Sequence, residues 1–234
     1  MIEETVFECT ESDNKVTIPL DPTWKTLGIS FSGGLDSCLT TYLTIKTLQE
    51  KGYNTKIRLI TFDFATKPEY IPTAKKLAHY LSELTGFKNF EEHYTHSAPL
   101  EQSKDPAKNW IIGNHTTAMF KLGAIDFIFD GLTKNPPESV RKDFPSDKFR
   151  QVDRDVPSSI FRHKSQASPL AFCDKQGVIE LYKKFNLIEI ILKRTLSCDV
   201  NLDEIVDGKL PCGNCWWCFE RSWGLKTNNL DPNL

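Results

Sequence analysis

The stretch "ISFSGGLDSCLTT", Ile29–Thr41, decides how the chain is read. Just upstream, "TLGISF" (Thr26–Phe31) has the composition of a short buried strand. Downstream, Leu35, Cys38, Leu39, Tyr42 and Leu43 recur at helical spacing until Gly52. Between strand and helix stand Ser32, Gly33, Gly34, Asp36 and Ser37. Glycine tolerates left-handed dihedrals and has no side chain to block approach, so successive N–H groups in such a turn converge on an anion. The serine hydroxyls add donors, and the helix turns its positive end to the same point. A phosphate or pyrophosphate is the predicted occupant. Asp36 would repel it unless a cation intervenes, which predicts Mg²⁺. A plain strand-to-helix turn, with Asp36 favouring the helix dipole, is the competing reading.

The unit repeats along the chain. "IRLITF" (Ile57–Phe62) reads as a second strand, and Pro72 opens a helix with the stripe Ala74, Leu77, Ala78 and Leu81, closed by Gly86. A weaker strand near Phe90–Tyr94, a helix around His115–Leu122 and "IDFIFDGL" (Ile125–Leu132) continue the alternation. This predicts an α/β fold with a doubly wound, mostly parallel sheet covered on both faces. Ligands of such sheets bind beyond the carboxyl ends of the strands, where Ser32, Asp63 and Gly131 are expected on one rim. Periodicity fails over 135–166, a stretch rich in Pro and charge, read as a long loop that is either a lid or disordered. Val178, Leu181, Tyr182 and Phe185 mark a further helix, whereas "LIEIILKR" is ambiguous between strand and helix. The expected divisions are an N-terminal extension (1–25), a nucleotide-binding domain (26–190), a cysteine-bearing element (191–227) and a frayed tail (228–234).

Over 234 residues, 29 basic side chains stand against 31 acidic ones, so no field of one sign favours direct nucleic-acid binding or an anionic membrane. No apolar run reaches the roughly 20 residues of a membrane span, and the acidic N-terminus lacks a leader pattern, so a cytoplasmic location is expected. Of seven cysteines, Cys198, Cys212, Cys215 and Cys218 follow the spacing C-x13-C-x2-C-x2-C. Four thiolates so placed suit a tetrahedral Zn²⁺ with no open position, hence a structural staple in a reducing compartment; an iron–sulfur cluster is the rival occupant. Cys9, Cys38 and Cys173 are expected to be packing residues.

Ser32-Gly33-Gly34-Leu35-Asp36-Ser37, entered from a strand, resembles the S-G-G-x-D-S signature of the PP-loop ATP pyrophosphatases. That resemblance implies an adenine nucleotide alpha hydrolase-like fold in which these six residues hold the pyrophosphate end of ATP. Joined to a C-terminal four-cysteine element, the loop is similar to the 7-cyano-7-deazaguanine synthase (QueC) family. Ser197-Cys198, Cys212-Gly213-Asn214-Cys215-Trp216-Trp217-Cys218, Arg221 and Gly224 match that family's C-terminal pattern. Thr61-Phe62-Asp63-Phe64 matches its T-F-D-Y, and Ser168-Pro169-Leu170 with Lys175 its T-P-L followed by lysine. The resemblance covers most of residues 26–225. It departs at Ala65-Thr66-Lys67, at Ile112-Gly113-Asn114 and at Phe144–Lys148, the last of which only echoes the family's substrate segment, and this leaves the acceptor open.

The resemblance implies Zn²⁺ on the four cysteines, a homodimer, and phosphate contacts from the loop and Lys175. It also implies ATP-dependent adenylation of a 7-carboxy-7-deazaguanine-type carboxylate, then ammonia transfer to amide or nitrile with release of AMP and pyrophosphate. Asp36 is assigned to the Mg²⁺–phosphate assembly. Asp63 is assigned to the adenosine or the nucleophile, with a helix cap as its alternative. Asn114, Asp130, Gly131 and Thr133 are expected on the same rim as substrate contacts, unless they only satisfy turn backbone; Asp147 and Lys148 are weaker candidates. Three other readings use the same residues. A tRNA-thiolating enzyme shares the loop but needs a basic face. A phosphosulfate reductase needs a redox cysteine beyond Cys218, where none occurs. A noncatalytic nucleotide-binding module would grip a partner with Trp216, Trp217 and Trp223, residues that could equally pack the cysteine element against the sheet domain.

Overall fold

The computed structural model describes residues 1–64, 69–99, 107–142, 144, 154–155, 157–198 and 211–234. The expected N-terminal extension is ordered: β1 (Glu3–Glu8) and β2 (Lys15–Leu20) pair antiparallel as a hairpin. β-Branched Val16 and Ile18, with Leu20, turn into the main core, and the β2 backbone is held from outside its own sheet by Thr17 N–H to Pro169 O at 3.1 Å. Glu180 ties down the hairpin's loop, accepting from Glu11 N at 2.9 Å, from Ser12 Oγ at 3.0 Å and from Thr10 N.

β3 (Thr26–Ser30) leads through the glycine turn into α1 (Leu35–Lys51), followed by β4 (Lys56–Phe64), α2 (Tyr70–Thr85), β5 (Tyr94–Ala98), α3 (Ala107–Lys121) and β6 (Phe127–Phe129). The short α4 (Glu138–Arg141) and the strands β7 (Phe161–His163) and β8 (Gln166–Ala167) lie in or at the edge of the stretch read as loop. They escaped periodicity because two to four residues are too few to show a period. α5 (Lys175–Lys184) and α6 (Trp216–Thr227) complete the fold. "LIEIILKR" is neither strand nor α-helix: Asn186 takes the left-handed conformation, and turns then run into a 3₁₀ segment, Leu192–Arg194.

The six-stranded sheet has the order β5-β4-β3-β6-β8-β7, with parallel pairing throughout except at the β7 edge. The chain therefore runs outward from β3 in one direction and returns to β6 on its other side. The crevice above the β3/β6 boundary, where strand order reverses, is where open α/β sheets take ligands. α1, which starts at this boundary, is a helix buried on nearly all sides. Beyond the expected apolar stripe it buries Thr40, Thr41, Thr44 and Thr47. Thr41, Thr44 and Thr47 donate to the carbonyls four residues back at 2.7–2.8 Å, removing the roughly 1–3 kcal/mol cost of an unmet buried hydroxyl. The tail is docked, not frayed: Leu230 and Leu234 pack on the core, and Asn228 Nδ2 donates to Gly224 O at 2.8 Å. Among the described residues no helix is long and apolar enough to cross a membrane.

Candidate functional site

Phe31 N–H still donates to Ile60 O at 2.7 Å, so the chain leaves the sheet at Ser32. Gly33 has φ +77°, a conformation other residues rarely adopt, and a Cβ there would also lie 3.1 Å from Ala74 N. Gly34 is the α1 N-cap in extended conformation, with no side-chain cap. Gly34 N donates to Ser32 Oγ at 3.2 Å, and Leu35 N reaches Ser197 Oγ only at 3.5 Å. The N–H groups of Ser32, Gly33, Asp36 and Ser37 make no hydrogen bond among the described residues. Bare donors gathered at the positive end of a 17-residue helix form an anion cradle.

Lys175, the first residue of α5, brings the counter-charge. Its ammonium is hydrogen-bonded to Asp36 Oδ2 and lies 3.7 Å from Glu220 Oε2 of α6. The other Asp36 oxygen, Oδ1, is buried without a hydrogen-bond partner, an acceptor suited to a hard cation. Loop and lysine form one side of a cavity of about 340 Å³, within the usual range of small-ligand sites. Its opposite walls are mostly apolar and aromatic: Ile60, Phe62, Tyr70, Ile112 and Trp217, with Lys108 among them. Leu196, Ser197 and Cys198 close one flank, so the strap leading to the first cysteine of the cluster is itself cavity wall.

That strap is fastened at several points. Leu196 N donates to Gly33 O at 3.2 Å, and the Tyr70 hydroxyl donates to Cys198 O. The buried Arg221 guanidinium donates to Thr195 O at 3.0 Å, Leu192 O at 2.9 Å and Leu234 O at 3.1 Å. Burial holds this guanidinium below its ordinary pKa.

The sulfurs of Cys198, Cys212, Cys215 and Cys218 all lie within 4.8 Å of one another, at 3.5 Å for Cys215–Cys218 and 3.9 Å for Cys212–Cys218. A tetrahedron of thiolates about 2.3 Å from one ion has edges of about 3.8 Å, so the set fits a single tetrahedral metal. A cubane cluster, with an iron atom at each of four corners, spreads its sulfurs further apart. Gly213 (φ +75°) makes the turn between the second and third ligands, and Cys212 N–H and Asn214 N–H point at Cys198 Sγ and Cys212 Sγ. Hydrogen bonding with Cys198 and Cys215 holds the Cys218 thiol well above its ordinary range, a penalty that a bound cation removes.

The expected site residues divide. Ser32, Gly34, Asp36, Ser37, Gly131 and Lys175 line the cavity; Gly33 and Leu35 shape the loop from behind. Asp63 is buried at the carboxyl end of β4 and does not line the cavity. Asn114 is on an exposed face of α3, where Lys108 and Ile112 take the cavity side. Asp130 is engaged with its own turn and sheet, accepting from Leu132 N at 3.0 Å and Gln166 Nε2 at 2.8 Å. Thr133 is buried, held by Arg154 at 2.8 Å and 3.2 Å, and faces a separate recess. Asp147 and Lys148 lie outside the described residues. Sequence reasoning passed over Tyr70, Lys108, Ser197 and Glu220; of these only Ser197, quoted beside Cys198 in the family pattern, carried any signal.

No protein-family model matches the chain, and no curated protein matches it. Among solved structures it is similar to the U34-tRNA thiolase NcsA from Methanococcus maripaludis, a structure with its [4Fe-4S] cluster. The identity is 15% and the TM-score 0.44, covering 89% of this chain and 67% of that one. It is also similar to NAD+ synthetase from Burkholderia pseudomallei, at 16% identity and TM-score 0.38, covering 72% of this chain and 62% of the other.

Proposed function

We propose that the chain is an ATP-dependent, AMP-forming carbon–nitrogen ligase that adenylates a planar carboxylate of the 7-carboxy-7-deazaguanine type and passes ammonia to it. The observation that carries this reading is the set of N–H groups of Ser32, Gly33, Asp36 and Ser37 that make no hydrogen bond among the described residues, in a loop that opens with Asp36 and Lys175 into a cavity with aromatic walls. The loop amides and Lys175 would bind the phosphate tail of ATP, and Asp36 would hold Mg²⁺ through the oxygen that has no protein partner. Bound there, Mg²⁺ supplies charge neutralisation of the phosphates.

A carboxylate oxygen of the acceptor attacks the α-phosphorus while the bond to the bridging oxygen of pyrophosphate breaks. The positive end of α1 stabilises the charge gathering on the leaving group. Ammonia then adds to the acyl carbon, AMP departs with the carbon–oxygen bond, and a proton is lost to give the amide. A second ATP activating the amide oxygen would give the nitrile by loss of AMP. The apolar walls protect the acyl adenylate from water, and the chain's main contribution is orientation. The cysteine site is proposed to hold one Zn²⁺ that keeps the 195–198 strap in place, in a homodimer whose mass light scattering would check.

Incubation with ATP, Mg²⁺, ammonia and 7-carboxy-7-deazaguanine is expected to release AMP and pyrophosphate; ADP and phosphate as products would refute adenylation. One observation favours a second reading, a tRNA-thiolating enzyme: Cys198 belongs both to the metal set and to the cavity wall. Salt-sensitive tRNA binding, together with iron in place of zinc on metal analysis, would decide for it.

A further inference from the structure

We propose that Glu220 is a positioning residue for the phosphate site, retaining the Lys175 ammonium when Asp36 turns to a metal-bound nucleotide, and so coupling the cysteine-bearing helix α6 to the anion loop. The proposal rests on reading the loop as an ATP site. Three charges from three helices meet behind it: Asp36 from α1, Lys175 from α5 and Glu220 from α6. The Lys175 side chain is 3% exposed and that of Glu220 0%, so neither has water to fall back on. Glu220 stands two residues beyond Cys218 yet is outside the metal set.

One carboxylate cannot keep a close ammonium and also ligate a divalent cation at full strength. When Asp36 engages Mg²⁺, its hold on Lys175 weakens, and the ammonium turns toward the phosphates. A buried ammonium deprived of its counter-charge is costly, and Glu220 supplies the charge that stays. Its own position is fixed because Gly224, one turn on, lets α6 approach α5 so closely that a Cβ there would lie 2.6 Å from Lys175 O.

The test uses the full chain and calorimetry with Mg²⁺ plus ATP, and separately with AMP, which lacks the β- and γ-phosphates. Glu220→Gln is expected to keep the wild-type metal content and bind Mg²⁺–ATP about tenfold more weakly, with AMP affinity within about twofold of wild type. Lys175→Met and the Lys175→Met/Glu220→Gln double variant should bind Mg²⁺–ATP equally weakly, because the two losses act through one ammonium and do not add. Equal losses for ATP and AMP, or losses that add, would overturn the proposal in favour of a purely structural ion pair. Should Glu220→Gln shed its metal or fail to fold, Glu220→Asp replaces it: a changed ATP-to-AMP affinity ratio supports the proposal, an unchanged one overturns it. No binding of ATP by the wild-type chain would overturn this inference and the nucleotide reading together, whereas wild-type binding matched by the variant overturns this inference alone.

Discussion

Two helix N-termini in this molecule are built by the same backbone device and put to opposite uses. Gly33 (φ +77°) precedes the extended N-cap Gly34 of α1, and Gly213 (φ +75°) precedes Asn214 and the extended N-cap Cys215 of α6. Neither N-cap residue makes a side-chain capping hydrogen bond. At α1 the N–H groups of Ser32, Asp36 and Ser37, residues that line the cavity, make no hydrogen bond among the described residues; beside α6 the N–H groups point at cysteine sulfur. A left-handed glycine ahead of a helix therefore marks a place where donors are gathered. What surrounds it, sulfur or empty space, determines what they are gathered for.

The comparison breaks most sharply at the metal. Cys215→Ser is expected to abolish stoichiometric metal binding, lower the melting temperature and weaken ATP binding more than tenfold through the 195–198 strap; elemental analysis, thermal melting and calorimetry read these together. Structural zinc sites contribute on the order of 10 kcal/mol to small folds, so this is the largest effect anticipated. The glycines come next. Gly33→Ala meets both an unfavourable φ and the Ala74 backbone, and should cost about 100-fold in ATP affinity with the circular dichroism unchanged. Gly213→Ala meets nothing within 4 Å and should cost only about 1–2 kcal/mol of stability, leaving ATP affinity within a few-fold. Equal effects of the two alanines on ATP binding would end the distinction drawn between the turns.

Asp36→Asn sharpens the loop's side of the contrast. It should reduce ATP affinity about tenfold in Mg²⁺ while leaving Mg²⁺-free binding unchanged or stronger, since a repulsive charge is removed. The last effect, felt only in acid, concerns the support beneath the turn. Thr61 Oγ1 donates to Phe31 O and sits 2.8 Å from His93 Nε2, and burial pushes the His93 pKa down to about 4. The folded imidazole stays neutral where the unfolded one takes a proton, so stability is whole above pH 6.5 and declines as pH falls toward 4. The decline is at most about 3 kcal/mol. A His93→Gln chain should show a flatter melting profile across that window.

What was legible in the sequence follows from how local each feature is. The loop over Ser32–Ser37 and the knuckle over Cys212–Cys218 are contiguous, and their glycine and cysteine spacing is nearly the whole of their geometry. The alternation of strands and helices was legible because β4, α1 and α2 are long enough to show a period. The cavity's far wall was not: Phe62, Tyr70 and Lys108 come from three separated segments, and nothing local to any of them announces the others. Asn114 and Thr133 were expected on the rim from proximity to strand ends. Helix phase turns the first outward, and Arg154, a partner no periodicity could supply, turns the second into another recess. Asp130 shows the same limit, its carboxylate engaged by Gln166 across the sheet.

The bond from Leu35 to Ser197 spans 162 positions, and the neighbouring one from Leu196 to Gly33 is as distant. On the ribosome, the glycine turn emerges long before the residues that flank it. A nascent chain thus carries an unfinished pocket until the strap has been synthesised, and stalled or truncated products that end before it would be unable to sequester nucleotide.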